Sequence, residues 1–153
     1  MKVFNDFNTS ASFELIPAVR DVSGPCIEEE DCSWETATLC AFNQTSTAGQ
    51  VAFLACMDDK EGTAKSASRL CAPKANVDEG KLLTCLAGQQ GVDLLSAASA
   101  AWNKAFPSRA TVPHTFVGKE DVPADFNALK NALCKAGAKA SVCDQKATAQ
   151  CSI

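Results

Sequence analysis

The sequence has no Cys-x-x-Cys pair, only one histidine and no apolar run long enough to cross a membrane. Structural zinc sites use closely spaced cysteine and histidine ligands, so the first two absences argue against a metal site. A membrane-spanning helix needs about 20 apolar residues in succession, so none is predicted. Positive charge is also scarce, because the chain has 14 basic and 18 acidic residues and a net charge of −4. We therefore predict no metal, no cofactor and no nucleic-acid partner, since the last would need a basic surface.

Cysteine, by contrast, is abundant: the chain of 153 residues contains nine. Disulfides persist in oxidising compartments and are rare in the cytosol. The composition therefore predicts a disulfide-rich protein of a secretory or lysosomal lumen, or of another organelle lumen such as the thylakoid. A cytosolic protein with several buried, reduced cysteines is the alternative. The eight disulfide candidates are Cys26, Cys32, Cys40, Cys56, Cys71, Cys85, Cys134 and Cys143.

Cysteine spacing leaves the connectivity open, and loop length is the only guide to it. Cys134 with Cys143 would tie a helix end to the following turn, and Cys71 with Cys85 would close a short helical hairpin. Cys151 is the candidate for an odd thiol or an intermolecular bridge. We expect a local knot of disulfides among Cys26, Cys32 and Cys40. Cys56 is a candidate fourth member of this knot.

Two N-glycosylation sequons fit a lumenal protein, at Asn8-Thr9-Ser10 and at Asn43-Gln44-Thr45. The N-terminal residues contain no apolar stretch of the kind that a signal peptide needs. We therefore expect that the targeting segment lies upstream and is not present in this chain.

Hydrophobic patterning predicts a chain of mixed α/β type. A strand is predicted over 13–19, and a helical block follows, its clearest helix covering 92–106. Strand-forming residues return over 111–117 and 119–122, and a final helix is predicted over 125–136 with a glycine cap after it. This order of elements is typical of an α/β or α+β architecture with a helical insertion.

The cysteine spacing over residues 26–40 resembles a known signature. This segment reads Cys-x5-Cys-Ser-Trp-Glu-x4-Cys. It is similar to the Cys-Gln-His-Gly-x-x-Glu-Cys-x-x-Asn-x-x-x-x-Cys signature of the gamma-interferon-inducible lysosomal thiol reductase family. Cys32 and Cys40 fall at the family spacing, whereas Cys26 is one residue closer. Asp31 and Glu35 stand where the family has glutamate and asparagine, and the Gln-His-Gly trio is missing.

Further similarity to this family continues down the chain over residues 13–143. It includes 52–57, 70–71, 85–91, 112–119 and the closing pair Cys134 and Cys143. The resemblance implies an incomplete thioredoxin-like fold with a helical insertion, as one domain over 1–153 with tails at 1–12 and 144–153. Pro113, which His114 follows, then falls at the family's cis-proline, which normally faces the redox dithiol.

The family carries its catalytic Cys-x-x-Cys before the strand that matches residues 13–19, and this chain has no cysteine there. A thiol reductase needs a reactive thiolate and a second thiol nearby. The resemblance therefore implies a pseudoenzyme, a structural or binding subunit of a larger lumenal assembly. A protein partner would cover the sheet edge that the missing strand leaves exposed. The alternatives are a thiol–disulfide oxidoreductase whose Cys-x-x-Cys lies on a segment absent from this chain, and a small secreted disulfide-rich protein.

Overall fold

The computed structural model of the chain describes residues 1–19, 32–107 and 114–144. Within these ranges it is mixed α/β and mostly helical, with seven α-helices and one two-stranded sheet. The chain divides into two compact units. The smaller combines Met1–Phe13 with Thr111–Ile153, and the larger is Glu14–Ala110. The larger unit is thus inserted, in sequence, between the two parts of the smaller one.

The larger unit is helical throughout its described elements. Its helices are α2 (Ser33–Phe42), α3 (Thr47–Met57), α4 (Ala64–Cys71), α5 (Glu79–Ala87) and α6 (Gln89–Ala105), with a 3-10 turn over Pro73–Ala75 between α4 and α5. Side-chain caps define two of the starts, because Thr63 Oγ1 accepts the Ser66 N–H at 3.2 Å and Asp78 Oδ1 accepts the Lys81 N–H at 2.8 Å. The clearest predicted helix is confirmed and begins earlier than expected, at Gln89.

Small side chains dominate the core of the larger unit. Six alanines and four cysteines are among the fourteen members of its main cluster. Phe53 and Leu82, both fully buried, are its largest fully buried side chains. Alanine and cysteine let helices approach closely, but they bury less apolar area than leucine or phenylalanine. Disulfides are therefore expected to contribute much of the stability of this unit.

The smaller unit contains α1 (Lys2–Phe7), β1 (Thr115–Val117), β2 (Glu120–Val122), α7 (Phe126–Lys135) and a 3-10 turn over Ser141–Cys143. The two strands pair antiparallel with Phe116 opposite Asp121, and Gly118 takes φ +63° in the two-residue turn between them. Asp125 Oδ1 caps α7 by accepting the N–H groups of Asn127 and Ala128, each at 3.0 Å.

Aromatic contacts hold α1 within the smaller unit. Phe7 is fully buried, and the rings of Phe4 and Phe13 meet edge to face with their centroids 5.3 Å apart. Lys2 Nζ lies 4.1 Å from the centroid of the Phe126 ring, a cation–π contact between α1 and α7. The residues that were expected to form an N-terminal tail therefore include a packed helix.

One predicted strand is wrong and the others are confirmed where they are described. Residues 13–19 form neither strand nor helix. Pro17 cannot donate a ladder hydrogen bond, and no described strand pairs with this segment, although Val19 at its end is buried. The strands over 115–117 and 120–122 and the helix over 126–135 follow the pattern closely. Gly137 takes φ +97° after α7, as the predicted cap requires.

Two three-residue strands are all that the described residues contribute to a sheet. They do not make the central sheet of a thioredoxin-like domain, so that finer assignment stays a prediction. None of the helices in the described ranges has the length and apolarity that a bilayer crossing requires.

Replacing Gly91 by alanine is expected to destabilise the larger unit by about 2 kcal/mol through overpacking. A Cβ atom there would lie 2.5 Å from the Cys85 carbonyl oxygen and 2.8 Å from Thr36 Cγ2. Denaturant unfolding followed by tryptophan fluorescence measures the loss, because Trp34 and Trp102, the two tryptophans of the chain, both lie in this unit.

The matched control for this change is Gly80→Ala, at an exposed helical position of α5. Its Cβ would meet Asp78 Oδ1 at 3.3 Å, so the stability should change by less than about 1 kcal/mol. Equal losses at the two positions would contradict the close approach of α6 to α2 and α5.

Candidate functional site

Oxidised cysteine is the main chemical feature of the described residues. All seven cysteines that the structure describes are disulfide-bonded: Cys32, Cys40, Cys56, Cys71, Cys85, Cys134 and Cys143. The other candidates that the sequence supplies, Cys26, Cys151 and Pro113, lie outside the described residues. The disulfides indicate an oxidising compartment, as the cysteine content predicts.

Two disulfides join neighbouring helices inside the core of the larger unit. Cys40 of α2 bonds Cys85 of α5 with their Cα atoms 5.9 Å apart, and Cys56 of α3 bonds Cys71 of α4 with theirs 5.5 Å apart. None of these four residues is more than 7% exposed. Thiolates must reach a sulfur atom to reduce a disulfide, so these two bonds are shielded in the folded state.

The third disulfide lies in the smaller unit and has a different environment. Cys134, in the last turn of α7, bonds Cys143 of the 3-10 turn across nine residues. Both cysteines are only partly buried. Cys143 Sγ also lies 3.4 Å from the carbonyl oxygen of Ala138. This bond ties a helix end to the following turn, and the pairing predicted from loop length is confirmed.

Two other suggestions from loop length are wrong, namely the Cys71–Cys85 pairing and the place of Cys40 and Cys56 in a local knot. The part of the knot that involves Cys26 lies outside the described residues. Cys71 bonds Cys56 and not Cys85, because the short segment after α4 leads into α5, which packs against α2. Cys40 and Cys56 also do not join a local knot, since each has a partner on another helix. Cys32 and Cys40 are eight residues apart along α2, about 12 Å of helical rise, which is too far for a disulfide between them.

Cys32 occupies the N-cap position of α2 with φ 54° and ψ 27° and is 5% exposed. Its carbonyl oxygen accepts the Thr36 N–H at 3.0 Å and the Thr36 hydroxyl at 2.8 Å. The left-handed backbone costs a residue with a side chain about 1–2 kcal/mol. The start of α2 therefore combines a disulfide-bonded cysteine with a backbone conformation that cysteine does not favour by itself.

His114 belongs to a polar contact on the β-hairpin. Its Nδ1 lies 3.1 Å from Asp121 Oδ2, and its ring is stacked near Phe116 with centroids 6.4 Å apart. Asp121 pairs with Phe116 across the strands, so the three side chains share one face of the hairpin. The carboxylate orients the imidazole and joins the start of β1 to β2. Asp121 was missed by the sequence analysis, and only the hairpin register could have indicated it.

Asn8 and Asn43, the sequon asparagines, are both exposed. Asn8 follows α1 in a turn, where the Ser10 hydroxyl donates to the Phe7 carbonyl at 3.3 Å. At the second sequon, the Thr45 hydroxyl donates to the Ala75 carbonyl at 2.8 Å, a contact 30 residues away in sequence. Glycosylation at either asparagine stays a prediction.

A groove of about 410 Å³ in the larger unit is lined by the first turns of α2 and α4, the end of α5 and the first half of α6. Its lining combines apolar side chains, such as Leu86 and Val92, with Lys65 and three hydroxyls. Two of those hydroxyls form hydrogen bonds at the starts of helices. Thr36 Oγ1 donates to the Cys32 carbonyl oxygen, and Thr63 Oγ1 caps α4. Among the described residues, no group of three or more histidine, cysteine or acidic side chains is arranged to hold a metal ion.

No protein-family model, no curated protein and no solved structure matches this chain.

Replacing both Cys40 and Cys85 by alanine should lower the free energy of unfolding of the larger unit by about 4 kcal/mol. The expectation follows from the 45-residue separation that this bond closes. The matched control, Cys134→Ala with Cys143→Ala, opens a nine-residue loop, for which the same relation gives about 2.5 kcal/mol. Denaturant titration without reductant measures both. A loss in the Cys40 and Cys85 variant that is smaller than the loss in the control would contradict the expectation.

Asp121→Ala should destabilise the hairpin by about 0.5–1 kcal/mol, the range of a partly exposed ion pair or hydrogen bond. Hydrogen exchange of the amides in β1 and β2 measures the loss locally. Glu120→Ala is the control, because it removes the same charge from the neighbouring exposed position of β2. If both variants raise the exchange rates equally, the His114 contact is not what stabilises the hairpin.

Proposed function

We propose that this protein is a non-catalytic structural or binding subunit of a larger lumenal assembly. In this proposal it is a degenerate relative of the gamma-interferon-inducible lysosomal thiol reductases, with a thioredoxin-like ancestry and without their dithiol. The observation that carries the proposal is that every described cysteine is already engaged in a disulfide.

A thiol–disulfide oxidoreductase works through a thiolate with a lowered pKa and a second thiol that resolves the mixed disulfide. Four cysteines of the larger unit instead link helices to one another and are inaccessible to a substrate, namely Cys40, Cys56, Cys71 and Cys85. Cys32 and Cys40, which carry the family-like spacing, are both bonded and buried. These features favour cross-linking over electron transfer as the main use of sulfur in this chain.

The hairpin supports the binding part of the proposal. Each of its strands has only one strand neighbour among the described residues, so each has an outer edge whose backbone groups face away from the pair. Phe116 in β1 keeps 40% of its surface exposed. Strand edges with apolar side chains are common sites for pairing with an extended segment of a partner. A protein that adds a strand at this edge is the partner that we propose.

The proposal predicts that the chain, produced in an oxidising secretory host, does not catalyse reduction of insulin by dithiothreitol. Thioredoxin serves as the positive control, and the uncatalysed rate is the baseline. Turnover above this baseline that disappears in a cysteine variant would support the oxidoreductase alternative instead.

Sedimentation of a native extract of the source organism tests the assembly, because the chain should then migrate well above its own mass of 16.0 kDa. Migration as a monomer would contradict the subunit proposal.

A further inference from the structure

The described disulfides differ in how easily solvent reaches their sulfur atoms. The four core cysteines are between 0% and 7% exposed, whereas Cys134 and Cys143 are both partly open to solvent. Exchange begins when an external thiolate attacks one sulfur of the bond, so the accessible disulfides are the labile ones. Among the three disulfides whose two cysteines are both described, Cys134–Cys143 is on exposure alone the bond that an external thiol reaches first.

The surroundings of Cys134–Cys143 also offer little resistance to opening. Neither α7 nor the 3-10 turn over Ser141–Cys143 contains a buried residue. Segments with few buried contacts open locally at low free-energy cost. The nine-residue separation between the two cysteines also means that reducing this bond destabilises the fold less than reducing Cys40–Cys85, whose separation is 45 residues.

After reduction, the Cys143 thiol has a hydrogen-bond acceptor nearby and α7 keeps its C-terminal hydrogen bonds. Cys143 Sγ lies 3.4 Å from the Ala138 carbonyl oxygen, which can accept the S–H hydrogen once the bond is open. The end of α7 is closed by backbone hydrogen bonds, from Gly137 N–H to Cys134 O at 3.1 Å and from Ala138 N–H to Leu133 O at 3.0 Å. These bonds do not involve sulfur, so the helix retains its cap after reduction.

We propose that Cys134–Cys143 is a site of disulfide exchange with external dithiols, while the core disulfides remain closed. The inference rests on the proposed function, because a structural subunit must keep its core intact while one surface bond responds to its surroundings. The thiolate of the dithiol attacks one of the two sulfurs, and the electrons of the broken S–S bond pass to the other, which takes a proton from water. The second thiol of the dithiol then attacks the mixed disulfide. The dithiol leaves as a disulfide, and Cys134 and Cys143 are left as two thiols.

The test treats the native full-length chain with dithiothreitol or with reduced thioredoxin, which separates a small-molecule source of the dithiol from a protein source. Acid quenching, differential alkylation and peptide mass spectrometry then follow each cysteine. Cys56–Cys71 is the matched internal control, because its separation is also short, at 15 residues, and it differs mainly in burial. We expect Cys134 and Cys143 to be alkylated at least about tenfold faster than Cys56 and Cys71 with at least one of the two dithiols.

Equal rates for the two pairs, or labelling of Cys134 and Cys143 only after unfolding, would overturn the inference. Two single variants provide a second test under native conditions with oxidised glutathione. Cys134→Ser, which leaves Cys143 as a thiol, should form a mixed disulfide, and Cys56→Ser should leave Cys71 unmodified while its circular dichroism is native. If Cys134–Cys143 does not exchange and the chain does not catalyse insulin reduction, the inference is overturned but the proposed function still stands. Catalysed insulin reduction would remove the proposed function whatever the state of Cys134–Cys143.

Discussion

Helices α2 and α5 approach closely enough for a disulfide to join Cys40 and Cys85, and much of the larger unit follows from this approach. Small side chains allow this approach, since α2 contributes Ala37 and Ala41 to the core beside Cys40. Gly91 extends the same close packing to the start of α6, where its missing side chain makes room for the Cys85 carbonyl and the Thr36 methyl group. Such a core buries little apolar area per residue, so the covalent bond and the close packing depend on one another.

The two units therefore use sulfur under different physical conditions. In the larger unit the bonds Cys40–Cys85 and Cys56–Cys71 lie among the packed helices, so the packing that stabilises the fold also shields these bonds from thiols. In the smaller unit α7 has no buried residue, and its disulfide joins only local structure. Aromatic and polar contacts, such as Lys2 with Phe126 and His114 with Asp121, supply packing there that does not depend on sulfur.

Local signals in the sequence predict much of the fold, and long-range signals predict little of it. Asp125 and Gly137 mark the ends of α7, and Gly118 marks the turn of the hairpin, because caps and turns depend on a few neighbouring residues. The oxidising compartment follows from cysteine content. The partner of Cys40, by contrast, is decided by which helix packs against α2, and nothing near Cys40 in the sequence carries that information. Residues 13–19 have the composition of a strand but no strand to pair with among the described residues, which pattern alone cannot reveal.

The family-like spacing of Cys32 and Cys40 can be understood from helix geometry without a redox role. The two residues lie at opposite ends of α2, and a rise of about 12 Å prevents them from bonding to each other. Each must therefore find a partner elsewhere, which anchors α2 at both its start and its last turn. The spacing thus has a mechanical explanation within this chain, and a family-like cysteine pattern by itself does not carry reductase activity.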